Sequence, residues 1–218
     1  MNNVVIFGGT FDPPHLGHLN TAINVQSIFN FDNFFFLPCK SPVLKKTTGA
    51  SVEQRLQMLK LALSSYEKFK IDEQEMRRKE PSYMFDTLTN YRRQWGKNIA
   101  VTLLLGYDAF LQLPQWYRWT ELSTLANLLI ISRPLTNTTE LTVELAQFVA
   151  CANTNNLNDL FSNRAGKIFF YDAGCYAISS TEIRQCISEN KDISTYLPIT
   201  VYEYIKNNSL YHPRAPLG

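Results

Sequence analysis

The chain has 218 residues, of which 45% are hydrophobic, 13% aromatic and 18% charged. That composition excludes a mainly disordered chain, because enough apolar surface is present to offset the entropy of ordering and no low-complexity tract appears. A membrane-spanning helix is excluded as well, since the longest apolar stretch, Leu125 to Ile131, is broken by Asn127 and falls far short of about 18 residues. With 21 Lys and Arg against 19 Asp and Glu, the net charge of +2 gives no argument for nucleic acid or an anionic membrane as partner. The basic clusters Arg77-Arg78-Lys79 and Arg92-Arg93 read as solvated surface. Cys39, Cys151, Cys175 and Cys186 lack both C-x-x-C and metal-site spacing, so a reduced, cytoplasmic protein is expected. The start of the sequence agrees: Met1-Asn2-Asn3 leads into an apolar run with no signal-peptide pattern.

In chain order, Val4 to Phe7 reads as a buried strand and Leu16 to Phe29 as a helix. A second strand, Phe34 to Leu37, precedes a polar loop from Lys40 to Ala50. The helix from Ser51 to Leu63 opens with a capping box, in which the Ser51 hydroxyl accepts from the Gln54 N–H and the Gln54 side chain reaches back. A helix from Ser82 to Trp95 and strands at Ile99 to Leu105 and Leu128 to Ser132 follow. Beyond the polar loop Pro134 to Glu140 lie a helix from Leu141 to Ala152 and a strand from Ile168 to Tyr171. Helices from Ser180 to Ser188 and Ile199 to Asn207 end the pattern, Pro198 sitting at the start of the latter, where a missing N–H costs nothing. Uninterrupted apolar strands suit a parallel sheet covered on both faces. The alternation with helices therefore predicts an α/β fold, a doubly wound parallel sheet, in one domain over residues 1–211 with a loose tail over 212–218. Oligomeric state is not legible, because an apolar helix face serves a core and an interface alike.

Such sheets bind ligands beyond the carboxyl ends of their strands. The first strand ends in Gly8-Gly9-Thr10-Phe11-Asp12-Pro13-Pro14-His15-Leu16-Gly17-His18, which holds two of the chain's three histidines. Glycines allow a sharp turn and close backbone approach, and the following helix offers unpaired N–H groups to an anion. Three readings stand: half of a metal site, two stray histidines, or a phosphate site whose imidazoles donate to oxygens that gain charge in a transition state. The last uses every residue of the segment. Near the other end, Ile178-Ser179-Ser180-Thr181-Glu182-Ile183-Arg184 reads either as an ordinary capped helix start or as an anion clamp made of hydroxyls and an arginine one turn later. In the middle, Gly106-Tyr107-Asp108 closes a strand, and Pro114-Gln115-Trp116-Tyr117 sets aromatics in a loop that serves a core or a ligand platform.

Gly8 to His18 resembles the G-G-T-F-D-P-x-H-x-G-H signature of the nicotinate mononucleotide adenylyltransferases, members of the HxGH nucleotidyltransferase superfamily with a Rossmann-like fold. The resemblance extends over roughly Val4 to Tyr211 and takes in I-S-S-T-x-I-R at 178–184. It implies an enzyme that moves AMP from ATP to nicotinate mononucleotide in NAD biosynthesis, with Mg²⁺ carried by the ATP phosphates and no protein metal ligand. By that resemblance His15 and His18 hold the ATP phosphates, His18 stabilising the α-phosphoryl transition state, and Arg184 holds the β- and γ-phosphates. Gly8, Gly9, Thr10, Phe11, Gly17, Ile178, Ser179, Ser180 and Thr181 complete the ATP side. Lys45, Tyr83, Met84, Gly106, Asp108, Trp116 and Tyr117 form the acceptor side, where Trp116 stacks on the pyridine ring and the Pro81-Ser82-Tyr83 backbone faces the carboxylate. Met84 replaces the threonine of P-S-Y-T, and Leu44 stands in place of a histidine that Lys40, Lys45 and Lys46 would offset. The alternatives are an adenylyltransferase for another phosphorylated acceptor and a non-catalytic adenine-nucleotide-binding regulator.

Overall fold

Strands that are apolar on both sides need cover on both faces, and the computed structural model, which describes residues 1–42, 48–79, 81–132, 141–174 and 178–212, has that form. Its strands are β1 (Asn2–Gly9), β2 (Asn33–Pro38), β3 (Phe69–Ile71), β4 (Ile99–Gly106), β5 (Asn127–Ser132) and β6 (Ile168–Asp172). They pair in the order β3-β2-β1-β4-β5-β6, and every pairing is parallel. The longer helices are α1 (Leu16–Phe29), α2 (Val52–Leu63), α3 (Met84–Trp95), α6 (Val143–Ala152), α8 (Ser180–Ser188) and α9 (Ile199–Asn207). Short helices α4 (Tyr107–Leu111), α5 (Leu122–Leu125) and α7 (Asp159–Ser162) lie between them.

The period of two along β1 divides the core. Val5 and Phe7 pack with Ala22 and Val25 of α1, Met58 and Leu59 of α2, Ile183 of α8, and Val201 and Ile205 of α9. Val4 and Ile6 face the other way, toward Leu88 and Tyr91 of α3 and the odd-numbered leucines Leu103 and Leu105 of β4. The doubly wound sheet expected from the strand pattern is therefore present, with a layer of helices on each face. The chain winds from β1 to β2 and β3, then crosses back to β4 on the other side of β1, so the topological switch point lies between the carboxyl ends of β1 and β4.

Where expected and observed elements differ, local chemistry explains why. The strand β3 is too short to show a period, and it forms because Phe69 packs on Phe34 and Phe36, at ring separations of 4.9 and 5.5 Å. The third long helix begins at Met84 rather than Ser82, because Tyr83 keeps an extended backbone (φ −84°, ψ 127°). At α6 the Thr142 hydroxyl caps the Leu145 N–H at 3.3 Å, which places the start two residues past Leu141. The capping box of Ser51 and Gln54 forms as expected. Arg92, in contrast, is no solvated residue. Its guanidinium donates to the carbonyls of Leu125 (2.7 Å), Ile99 (2.8 Å) and Arg164 (2.5 Å), tying α3 to the amino ends of β4, β5 and β6, and burial lowers its pKa to about 10. The loop Pro134 to Glu140 and part of the loop Lys40 to Ala50 lie outside the described residues. Among the described residues no helix is long and apolar enough to cross a membrane.

Candidate active site

A cleft of about 340 Å³ opens at the switch point, over Gly8, Gly9 and Thr10 of the first strand end and Leu105 and Gly106 of β4. Both glycines let neighbouring side chains approach the main chain closely. A Cβ on Gly8 would lie 3.0 Å from the Met84 methyl, and one on Gly9 would lie 2.8 Å from the Phe11 ring. Phe11 holds a left-handed backbone (φ 49°) that turns the chain away from the sheet. Its backbone is the part expected at the ATP site; its side chain is 1% exposed and packs edge-on against Phe7 and His18, and Phe11 is not among the residues lining the cleft.

The turn delivers His15 and His18 to the start of α1, their rings 3.7 Å apart between centroids. The His15 N–H donates to Nδ1 of His18 at 3.2 Å. An accepting Nδ1 leaves Nε2 as the protonated nitrogen of the neutral His18 ring, and His18 lines the cleft. His15 is buried, its Nδ1 meets no hydrogen-bond partner, and burial pushes its pKa down to about 4 against the opposing pull of Glu182. Gly17 is buried within α1 beside them.

The segment 178–184 docks onto this turn from the far end of the chain. Ser179 caps α8, exchanging hydrogen bonds with Glu182, so the cap reading of that residue holds. Ser180 donates from Oγ to the Pro13 carbonyl at 2.9 Å. Arg184 donates from Nη1 to the Asp12 carbonyl at 2.7 Å and from Nη2 to Thr181 Oγ1 at 3.2 Å. The two segments singled out as anion sites are thus one assembly, and Ile178 is half-buried at its edge.

The other wall of the cleft is aromatic. Tyr83, Met84, Trp116 and Tyr117 line it, with Tyr117 half-exposed and its ring 4.8 Å from that of Tyr83. Trp116 follows a short 3₁₀ turn at Leu113–Gln115, which carries it back over the cleft. Arg118 pairs with Glu121 and lies 3.8 Å from the centre of the Phe85 ring, bracing the same wall. Gly106 lines the cleft, whereas Asp108 sits exposed on the first turn of α4 and is not among the lining residues. Lys45, with Leu44 and Lys46, lies outside the described residues.

Several residues of the site escaped sequence reasoning. Arg55 is fully buried in α2 and donates to the carbonyls of Thr10 (2.7 Å), Cys39 (2.8 Å) and Lys40 (2.7 Å), so one guanidinium joins the first two strand ends. Its signal was there: Arg55 shares a helical stripe with Met58, Leu59 and Ala62, a charge on the apolar face of α2. Asp12 is buried and accepts from the Gly49 N–H (2.7 Å), the Ala50 N–H (3.0 Å) and the Tyr211 hydroxyl (2.9 Å). Glu75 lines the cleft, accepts from Thr87 Oγ1 at 2.6 Å, and has its pKa raised by burial. Nothing in the local pattern around Glu75 announced it.

A parallel α/β sheet with a switch-point cleft, a histidine pair at a helix start and an arginine clamp defines the class of nucleotide-phosphate-binding enzymes. The cytidylyltransferase-like family profile matches residues 6–186. A "Probable nicotinate-nucleotide adenylyltransferase" of Legionella pneumophila (strain Paris) is 45% identical over 97% of this chain and 100% of its own length. One of the same name from Marinomonas sp. (strain MWYL1) is 36% identical over 97% of this chain and 95% of its own. The chain therefore belongs to the cytidylyltransferase-like family, within the branch of its nicotinate-nucleotide adenylyltransferase relatives. The fold is shared with the Plasmodium falciparum nicotinic acid mononucleotide adenylyltransferase complexed with NaAD, at a TM-score of 0.71 and 18% identity over 97% of this chain and 98% of that one. The same protein complexed with APC gives 0.69 and 17% over the same shares.

Proposed function

We propose that this chain transfers the adenylyl group of ATP to nicotinate mononucleotide, giving deamido-NAD and pyrophosphate. The observation that carries the reading is the junction of residues 8–18 with residues 178–184 at the carboxyl end of β1, beside an aromatic-lined cleft. A phosphate oxygen of the mononucleotide attacks the α-phosphorus of ATP in line, and the bond to the bridging oxygen of pyrophosphate breaks. No general base is required, because a phosphate monoester with a second pKa of about 6 is largely dianionic near pH 7. Catalysis then reduces to positioning and charge stabilisation.

His18 donates from Nε2 to the α-phosphoryl oxygens, its tautomer set by the His15 N–H. His15 faces the triphosphate as a neutral imidazole until the polyanion arrives. Arg184 takes the β- and γ-phosphates, while Gly8, Gly9, Thr10, Gly17 and Ile178 to Thr181 shape the nucleotide side. Trp116 stacks on the pyridine ring, with Tyr83, Met84, Gly106 and Tyr117 around it. Mg²⁺ is assigned to the ATP phosphates rather than to the protein. Among the described residues no group of three or more His, Cys, Asp or Glu is arranged for a metal, and the Asp12 carboxylate already accepts from three protein donors. The reading is of a cytoplasmic enzyme formed by one domain over residues 1–211, with ATP and the mononucleotide as its partners.

A second reading, another phosphorylated acceptor, draws on one feature: among the described lining residues the cleft carries Glu75 and no lysine or arginine. Purified protein with Mg²⁺, ATP and either nicotinate or nicotinamide mononucleotide decides between them by pyrophosphate release. Release with the nicotinate form and little with the amide supports the main reading. ATP binding without release in either case moves the acceptor to another class.

A further inference from the structure

The C-terminal end of the described chain packs beside Asp12 and Arg184 at the histidine turn, and the reaction as proposed makes no use of it. Tyr211 lies four residues past α9, with a left-handed backbone (φ 67°) that a bulky L residue adopts only when its surroundings enforce it. Its hydroxyl donates to Asp12 Oδ1 at 2.9 Å, across 199 residues of sequence. Gly49 is the floor of this contact. A Cβ there would stand 2.7 Å from the Tyr211 ring and 2.9 Å from Cδ of Arg184, so ring and arginine stem lie side by side on one glycine.

The hydrogen bonds around Asp12 say what the hydroxyl does. Oδ2 accepts from the Gly49 N–H, and Oδ1 accepts from the Ala50 N–H and from Tyr211. Arg184 Nη1 stands 3.8 Å from Oδ2, beyond hydrogen-bond distance, and donates instead to the Asp12 main-chain carbonyl. Three protein donors thus occupy most of the carboxylate's accepting sites, and the Tyr211 hydroxyl holds one that the guanidinium could otherwise take. A carboxylate short of one donor attracts the nearest cation, and the nearest is Arg184.

We propose that Tyr211 is a positioning residue for ATP: by occupying the Asp12 carboxylate it holds the Arg184 guanidinium available to the triphosphate. This rests on the adenylyl-transfer reading only for the identity of the nucleotide. Tyr211→Phe keeps the ring on Gly49 and removes one hydrogen bond. It is expected to raise the KM for ATP about three- to tenfold, with kcat and the KM for the acceptor unchanged. Titration of the protein with ATP and Mg²⁺, without acceptor, reads the same shift in Kd. If Tyr211 acts through Arg184, then in an Arg184→Ala background the Tyr211→Phe substitution leaves ATP affinity where Arg184→Ala alone has put it. Unchanged ATP affinity in Tyr211→Phe overturns the inference. So do additive losses in the double variant, and so does a loss shared equally by ATP and acceptor. A shift in ATP Kd in a protein that transfers adenylyl to no acceptor would uphold the role of Tyr211 while removing the proposed reaction.

Discussion

The two regions proposed for nucleotide and acceptor are built on different principles. The first, around the histidine turn beside the cleft, is a web of directed hydrogen bonds: Arg55 to three carbonyls, Asp12 to three donors, Arg184 and Ser180 to the main chain of Asp12 and Pro13. The second, the aromatic wall of the cleft, is a stack of ring faces, Tyr83 against Tyr117 and Tyr117 near Phe85, with Tyr117 half open to solvent. Hydrogen bonds fix distance and angle, so a motif that makes them tolerates little change. Ring packing needs only area and approximate shape. Residues 8–18 and 178–184 keep the pattern of the family signature, and of the two departures Met84 lies on the aromatic wall while Leu44 lies outside the described residues.

The sharpest way to break the contrast is Arg55→Met, which preserves bulk and leaves the Thr10, Cys39 and Lys40 carbonyls without their buried donor. A destabilisation of about 3 kcal/mol or more is expected in urea unfolding. A variant as stable as the wild type would mean that the nucleotide region does not depend on its web. His18→Ala is next: turnover is expected to fall about 10²-fold or more while ATP binding weakens modestly, as single-turnover kinetics and titration would resolve.

The histidine beside it supplies a pH signature. The folded-state pKa of His15, about 4, lies below the 6.5 of an unhindered imidazole, so between those values the unfolded chain binds a proton that the folded chain refuses. The His15 contribution to stability is complete above pH 6.5 and is lost as pH falls toward 4, by about 3 kcal/mol across that window. Denaturant melts at pH 7.5 and pH 4.5 measure it, and His15→Gln should flatten the dependence. On the aromatic wall the effect is smaller. Trp116→Ala is expected to raise the KM for the acceptor about tenfold and leave that for ATP unchanged; an equal rise in both would erase the distinction between the two regions.

Much of this was legible beforehand because it is local. Helices α1, α8 and α9 have the limits that periodicity and capping predict, since 3.6-residue spacing and a Ser or Pro at the start act within one turn. Contacts that close over long stretches of chain were not legible. Arg92 looks like a surface cation in its own helix and becomes a half-buried tie only when β4, α5 and Arg164 surround it. Phe11 belongs to a nucleotide motif by sequence and to the core by packing, because its left-handed turn aims the ring inward.

The sequence by itself determined the parallel α/β class, most of the long elements and the two segments proposed to bind phosphate, because apolar periodicity, caps and glycine turns are properties of a few neighbouring residues. Only the tertiary structure decided that the two segments are one assembly, that Asp12 accepts from Gly49, Ala50 and Tyr211, and that a charge on the apolar stripe of α2 holds two strand ends together. Those are pairings between groups that carry no mark of their partner, and burial makes each of them costly to leave unmet.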